Sequence, residues 1–169
     1  WLATGQSNME FVLANSVGGA EAMEMADDPW LRILLEPIEP SYGNQYPAEP
    51  AWDVPGSRWG RGDSGADIAF ASAVAYWAVR QMRETLDIPV GFINAARGAT
   101  SIQTWLSRES IEENKTVVSL LQKNGLYRTT EEFEQGKMDI YQMTAAFNAK
   151  IGPLAGMNIA GLMWYQGET

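Results

Sequence analysis

The sequence predicts an α/β domain built on a parallel sheet, and three observations predict it. Short apolar runs at Trp1-Leu2-Ala3, Trp30 to Leu35, Val90 to Asn94 and Ile159 to Tyr165 read as buried strands. Stretches of helical periodicity lie between them. Polar motifs follow three of the strands, at Gly5 to Asn8, Arg97 to Thr100 and Gln166 to Glu168. Alternating strand and helix implies parallel pairing with right-handed crossovers. In such sheets the site lies beyond the carboxyl ends of the strands, so the three motifs are expected to converge on one edge. A chain of 169 residues suits one domain of this kind.

The elements follow in order. Trp1-Leu2-Ala3 ends a strand at Thr4-Gly5, and Ser7 or Asn8 can cap what comes next through a short oxygen-bearing side chain. Met9, Phe11, Val12 and Leu13 predict a short helix ending near Asn15 to Gly19. The second strand stops at Pro37. Residues 36–67, rich in Pro, Gly, Ser and Asp, read as one long irregular loop, with Trp52 and Trp59 as its packing anchors. Asp67 to Leu86 is the clearest helix, because Phe70, Val74, Trp77, Ala78 and Met82 build one apolar face. Ile140, Met143, Phe147 and Ile151 mark a further helix that Gly152-Pro153 should stop.

Composition excludes more than it identifies. A formal net charge of −9 argues against a nucleic-acid partner, which needs clustered Lys and Arg. No apolar run is long enough for a membrane span, and no signal peptide is visible. Without cysteine there is no disulfide framework, thiolate metal site or cysteine nucleophile. Without histidine as well, and with no ligand-like cluster of carboxylates, neither a metal nor another cofactor is expected. The start at Trp1 and the end after a buried strand lead to the expectation of a partial domain over 1–169.

Ser7 is the candidate nucleophile. Acyl transfer from an ester needs a nucleophile, a base and donors for the tetrahedral oxyanion. A serine between strand and helix has its hydroxyl near the positive end of the helix dipole, and its own N–H can face the oxyanion. Gly98 and Ala99 let backbone N–H groups approach a substrate, and Gln166 offers an amide donor from the third strand end. Each residue has a plainer reading beside this one. Ser7 can be a helix cap, Gly98 a turn residue, Gln166 a polar strand end and Glu168 a hydrogen-bonding brace. Trp105 and Trp164 read more readily as core than as sugar platforms. Gly62-Asp63-Ser64-Gly65 mimics the nucleophile block of other serine hydrolases, but no convincing strand precedes it in Ser57-Arg58-Trp59-Gly60-Arg61. The segment Gly5-Gln6-Ser7-Asn8-Met9 lacks the second glycine of the α/β-hydrolase elbow, which argues for a different serine-esterase architecture.

Trp1 to Glu10, Ser72 to Tyr76, Ile88 to Asn94 with Gly98-Ala99-Thr100 and Trp105, and Trp164 to Glu168 together resemble the sialate O-acetylesterase-like branch of the SGNH hydrolases. The resemblance implies a three-layer α/β/α flavodoxin-like fold and Ser7 as nucleophile. It implies an oxyanion hole from the Ser7 N–H, the backbone around Gly98 and the Gln166 side chain. Gln6, Asn8, Arg97, Thr100 and Glu168 are the supporting residues around them. The implied substrate is an O-acetylated carbohydrate, and the implied setting is exported or periplasmic in a bacterium. The family's Trp-Gly-Gly-Thr stands here as Arg97-Gly98-Ala99-Thr100, which leaves substrate preference open. The family's base is a histidine beside an aspartate. With no histidine in these residues, that pair is expected from the remainder of the protein or from a second chain. The alternative is a non-catalytic module binding carbohydrate or a partner through the same cleft.

Overall fold

Strand β1, Leu2–Gly5, is buried along its whole length and lies inside the sheet. It pairs in parallel with β4 (Val90–Asn94) on one side and with β5 (Leu162–Tyr165) on the other. β2 (Asp28–Leu35) runs parallel to β4, and β3 (Arg58–Gly62) is its antiparallel partner at the sheet edge. The strand order is therefore β3-β2-β4-β1-β5, seen in a computed structural model that describes residues 1–36, 56–135 and 139–168. The described residues form two compact units. One holds 1–36, 56–99 and 158–168, and with them the whole sheet; the other holds 100–135 and 139–157.

The sheet unit carries four helices: α1 (Ser7–Glu10), α2 (Gly19–Glu24), α3 (Gly65–Ile68) and α4 (Ala73–Leu86). Its core joins Ala3, Met9, Leu13, Ile33, Tyr76, Val79 and Phe92. Each large apolar side chain among them contributes about 1.5–3 kcal/mol on burial. Mixed α/β with a mostly parallel sheet is the predicted fold class. No helix of the described residues is long and apolar enough to cross a membrane.

Local expectations fare less evenly. The single helix after β1 is broken into α1, a 3-10 turn at Leu13–Asn15 and α2. The backbone of residues 11–13 is taken by residues 71–73 instead: Ala73 N–H donates to the Phe11 carbonyl and Leu13 N–H to the Ala71 carbonyl, both at 2.8 Å. The expected cap is also displaced. Gln6 is the N-cap of α1, without a side-chain capping bond, and Ser7 is the first helical residue.

The loop expected over 36–67 contains β3 and α3; residues 37–55, including Trp52, lie outside the described residues. Trp59 is no packing anchor, being 62% exposed on an edge strand. A strand does precede Gly62-Asp63-Ser64-Gly65, but Ser64 caps α3 by accepting from the Asp67 N–H, and Asp63 pairs with Arg61.

α4 begins at Ala73, capped by Ser72, and turns a different face inward from the one periodicity marks. Phe70, Val74 and Trp77 are exposed, whereas Ala71, Ala75, Tyr76 and Val79 are buried. Alanines score weakly as apolar residues, yet their small volume lets a helix lie close to a sheet. Trp77 instead meets Tyr76 edge-on at 5.3 Å and carries Arg80 over its ring at 5.6 Å.

The other unit contains three helices that periodicity did not reveal: α5 (Arg108–Glu113), α6 (Lys115–Lys123) and α7 (Thr130–Gln135). Ile111, Leu121 and Met143 form one of its cores, and Trp105, Ile140 and Ala146 another. The helix expected from Ile140 onward is shorter, because Thr144 is left-handed at φ 65° and its N–H goes to the Gln103 carbonyl. A π-helical segment, Phe147–Ile151, follows. That segment ends at Ile151, where Gly152-Pro153 is expected to stop it, and Gly152 opens a 3-10 turn in which a proline near the start costs no internal hydrogen bond.

Gly5 carries the tightest constraint in the sheet. Its φ is +138°, and an added Cβ would lie 2.0 Å from the Tyr165 carbonyl oxygen. Gly5→Ala is expected to destabilise the protein by at least about 2 kcal/mol, combining backbone strain with forced separation of β1 and β5. Denaturant unfolding of the intact protein checks this, and an unchanged midpoint would refute it.

Candidate active site

The sheet brings the turns after β1, β4 and β5 together because those three strands are neighbours. Backbone pairing continues past their ends. The Gln6 N–H donates to the Tyr165 carbonyl and the Arg97 N–H to the Gly5 carbonyl, each at 2.9 Å. Ser7 therefore starts a helical turn at the mouth of β1 with an exposed side chain. As the first helical residue it has a backbone N–H with no acceptor inside the helix. Because Gln6 is the cap, the Ser7 hydroxyl is not spent on capping.

The turn after β4 lies directly against it. A Cβ built on Gly98 would sit 3.6 Å from both Cα and Cβ of Ser7. The Gly98 N–H donates to Glu10 Oε2 at 2.6 Å, and Arg97 Nη1 lies 3.4 Å from Glu10 Oε1. Glu10 thus ties the turn after β1 to the turn after β4. It stands at the end of the first matching block, Trp1 to Glu10, but a carboxylate on a short helix is given no role by the sequence. Its place three residues after Ser7, one helical turn on, is the available signal. Arg97, standing where an aromatic is usual, gains its partner in the same carboxylate. Ala99 next to it is left-handed at φ 59°, a conformation that disfavours a side chain.

The turn after β5 closes from the other side. The Gln6 and Asn8 side-chain amides both donate to the Glu168 carboxylate, so Glu168 clasps the residues flanking Ser7. Gln166, the first residue past β5, is partly buried. Thr100 belongs to the other unit, where it is fully buried and its Oγ1 accepts from Trp105 Nε1 at 2.9 Å. That bond explains Trp105 as core, 6% exposed, whereas Trp164 is 40% exposed on β5. Among the described residues, no group of three or more His, Cys, Asp or Glu is placed to hold a metal ion.

The turn that carries Ser7 is framed by two carboxylate clasps, and the comparisons place relatives beside it. No family model matches the chain. It is similar to the sialate O-acetylesterase of Homo sapiens, at 29% identity over 174 residues, covering all of this chain and 31% of the relative. It is similar to the sialate O-acetylesterase of Mus musculus at 25% identity, covering 34% of that protein. The chain thus spans about a third of the length of the curated relatives it matches. The crystal structure of a carbohydrate acetylesterase from Xanthomonas citri superposes with a TM-score of 0.74 at 26% identity, over 99% of this chain and 32% of that one. The resemblance read from the motifs to sialate O-acetylesterase-like proteins extends along the whole chain.

Desolvation raises the Glu168 carboxyl, but the hydrogen bonds from Asn8 and Gln6 outweigh it and hold the group below its ordinary value of 4.5. A depressed carboxyl stabilises the fold above the unfolded value and loses that contribution as pH falls through the folded one. The clasp is therefore weakened progressively as pH falls through the lowered folded value. Side-chain amide resonances of Gln6 and Asn8 should titrate together with a midpoint under 4.5; a midpoint at or above that value would contradict the clasp.

Proposed function

We propose that these residues carry the nucleophile and the oxyanion donors of a serine esterase that hydrolyses O-acetyl groups on carbohydrates. The observation that supports this best is the exposed Ser7 at the start of a helical turn, with Gly98 so placed that an added Cβ would lie 3.6 Å from the Ser7 Cβ. The Ser7 Oγ attacks the acetyl carbonyl carbon, and the developing oxyanion takes hydrogen bonds from the Ser7 N–H, the backbone around Gly98 and the Gln166 amide. With Glu10 already holding the Gly98 N–H, the next donor along that turn is the Ala99 N–H, which gives the strained Ala99 a purpose. The sugar oxygen leaves with the proton taken from Ser7. Water then cleaves the acetyl-serine to release acetate and restore the hydroxyl.

The proton needs a base. Glu168 is a poor one, since its carboxylate is held below the ordinary range and both flanking amides donate to it. The 169 residues contain no histidine, so the Asp–His pair of this proposal comes from the remainder of the protein or from a second chain. The same absence favours a second reading, a carbohydrate-binding module without catalysis.

Acetate release from an activated acetate ester by the intact protein separates the two readings. Ser7→Ala should lower turnover by at least about a thousandfold while leaving the unfolding midpoint in place. Wild-type turnover in that variant would remove Ser7 as nucleophile. Glu10→Ala should lower kcat about ten- to a hundredfold by releasing the turn after β4, because small misplacements of a reacting centre are costly. Glu10→Gln keeps an oxygen for the Gly98 N–H and should retain most of the rate. Equal rates in wild type and Glu10→Ala would show that the tie is dispensable.

A further inference from the structure

At the end of the sheet opposite Ser7, the start of β2 is irregular. Asp28 pairs with Gly62 and Arg32 with Arg61, so residues 29–31 bulge out with no partner on β3. Bulges re-aim side chains, and this one leaves Trp30 51% exposed while Leu31 is buried. Trp30 is held in that position. Its N–H donates to Asp28 Oδ1 at 2.9 Å, the Arg32 guanidinium donates to the Pro29 and Leu31 carbonyls, and Arg83 lies 5.5 Å over the indole. A large aromatic fixed in the open is a contact surface whose ordering cost is met before any ligand arrives.

Trp30 borders a cleft of about 320 Å³ between the bulge and α4. A second hollow of about 270 Å³ adjoins it along α4, with Arg80 and Glu84 lining both and Trp77, 38% exposed, in its wall. Trp77, Arg80, Gln81 and Glu84 recur every three or four residues and so share one face of the helix. The two hollows make one groove with a tryptophan in each part and charged groups between them.

The charges decide what the groove takes. Arg80 holds Glu84 at 3.0 Å, and Arg83 lies between Asp28 at 3.4 Å and Asp87 at 3.0 Å. An anionic ligand therefore meets cations that already hold carboxylates, with the exposed Asp27 to repel it. A cationic ligand competes with the guanidinium groups that already sit over both indoles. A neutral sugar ring lays its C–H face on an indole and directs hydroxyls to the exposed Asp27 and Glu84 carboxylates and to Arg80.

We propose that this groove is a surface site for a neutral oligosaccharide chain. Two aromatic platforms joined by one groove suit a chain of sugars rather than a single ring. The site stands on the groove alone and does not need Ser7 to be a nucleophile.

The probe is xylohexaose, neutral and unacetylated, titrated into the intact protein and followed by the indole N–H resonances. The Trp30 resonance, assigned by its loss in Trp30→Phe, should shift saturably, and the Trp77 resonance with it. Read at Trp77, Trp30→Ala should weaken Kd at least about fivefold, and Trp30→Phe, which keeps an aromatic face, far less. Trp30 is half exposed, so neither change opens the core. A hexamer of galacturonic acid should bind at least about fivefold more weakly than xylohexaose. No saturable shift at Trp30, an unchanged Kd in Trp30→Ala, or tighter binding of the acidic hexamer overturns the site. So does a Trp30 indole out of reach of a soluble paramagnetic probe in the intact protein, which means that another part of the protein covers the groove. Acetate release from an activated ester reads the esterase separately: it should be unchanged in Trp30→Ala and lost in Ser7→Ala. Saturable Trp30 shifts without acetate release uphold the groove and sink the esterase. Ser7-dependent acetate release without Trp30 shifts does the reverse.

Discussion

The close approach of β1 to β5 at Gly5 is the contact on which the candidate site depends. The missing Cβ lets the Tyr165 carbonyl come in, and the ladder then runs one residue further, to Gln6. That extra bond fixes where the chain leaves the sheet, and so where Ser7 begins its turn. On the other side the Arg97 N–H reaches the Gly5 carbonyl and seats the turn after β4. A glycine with no chemistry of its own therefore registers all three turns.

Two carboxylates secure what the backbone begins. Glu10 binds the turn after β4 and Glu168 binds the flanks of Ser7, so the turn that carries Ser7 is held from both sides. Such clasps suit a site in which geometry must survive substrate entry. They also account for the identity of neighbouring residues. Arg97 answers the charge of Glu10, and Gln6 and Asn8 supply donors to Glu168.

The parallel strands were legible because buried parallel strands are continuous apolar runs, and Trp30 to Leu35 and Val90 to Asn94 are such runs. The convergence of three turns followed from strand ends alone. Much of the rest was set by distant contacts. The break after α1 depends on residues 71–73, and the late start of the segment after Thr144 depends on the Gln103 carbonyl. The inward face of α4 was missed because alanines pack closest while aromatics mark the pattern. Ser7 was visible as a residue in a turn, whereas Glu10 became visible only once the turn after β4 lay beside it.

The two borders of the sheet are unlike. β3 presents Arg58 and Arg61 with two glycines between and beside them, a charged, poorly adhesive margin. β5 presents half-exposed Leu162, Trp164 and Tyr165 and, among the described residues, has a bonded neighbour on one side. A bare apolar margin of this kind recruits other strands. A strand added along β5 would meet an apolar margin, whereas one added along β3 would meet a charged one.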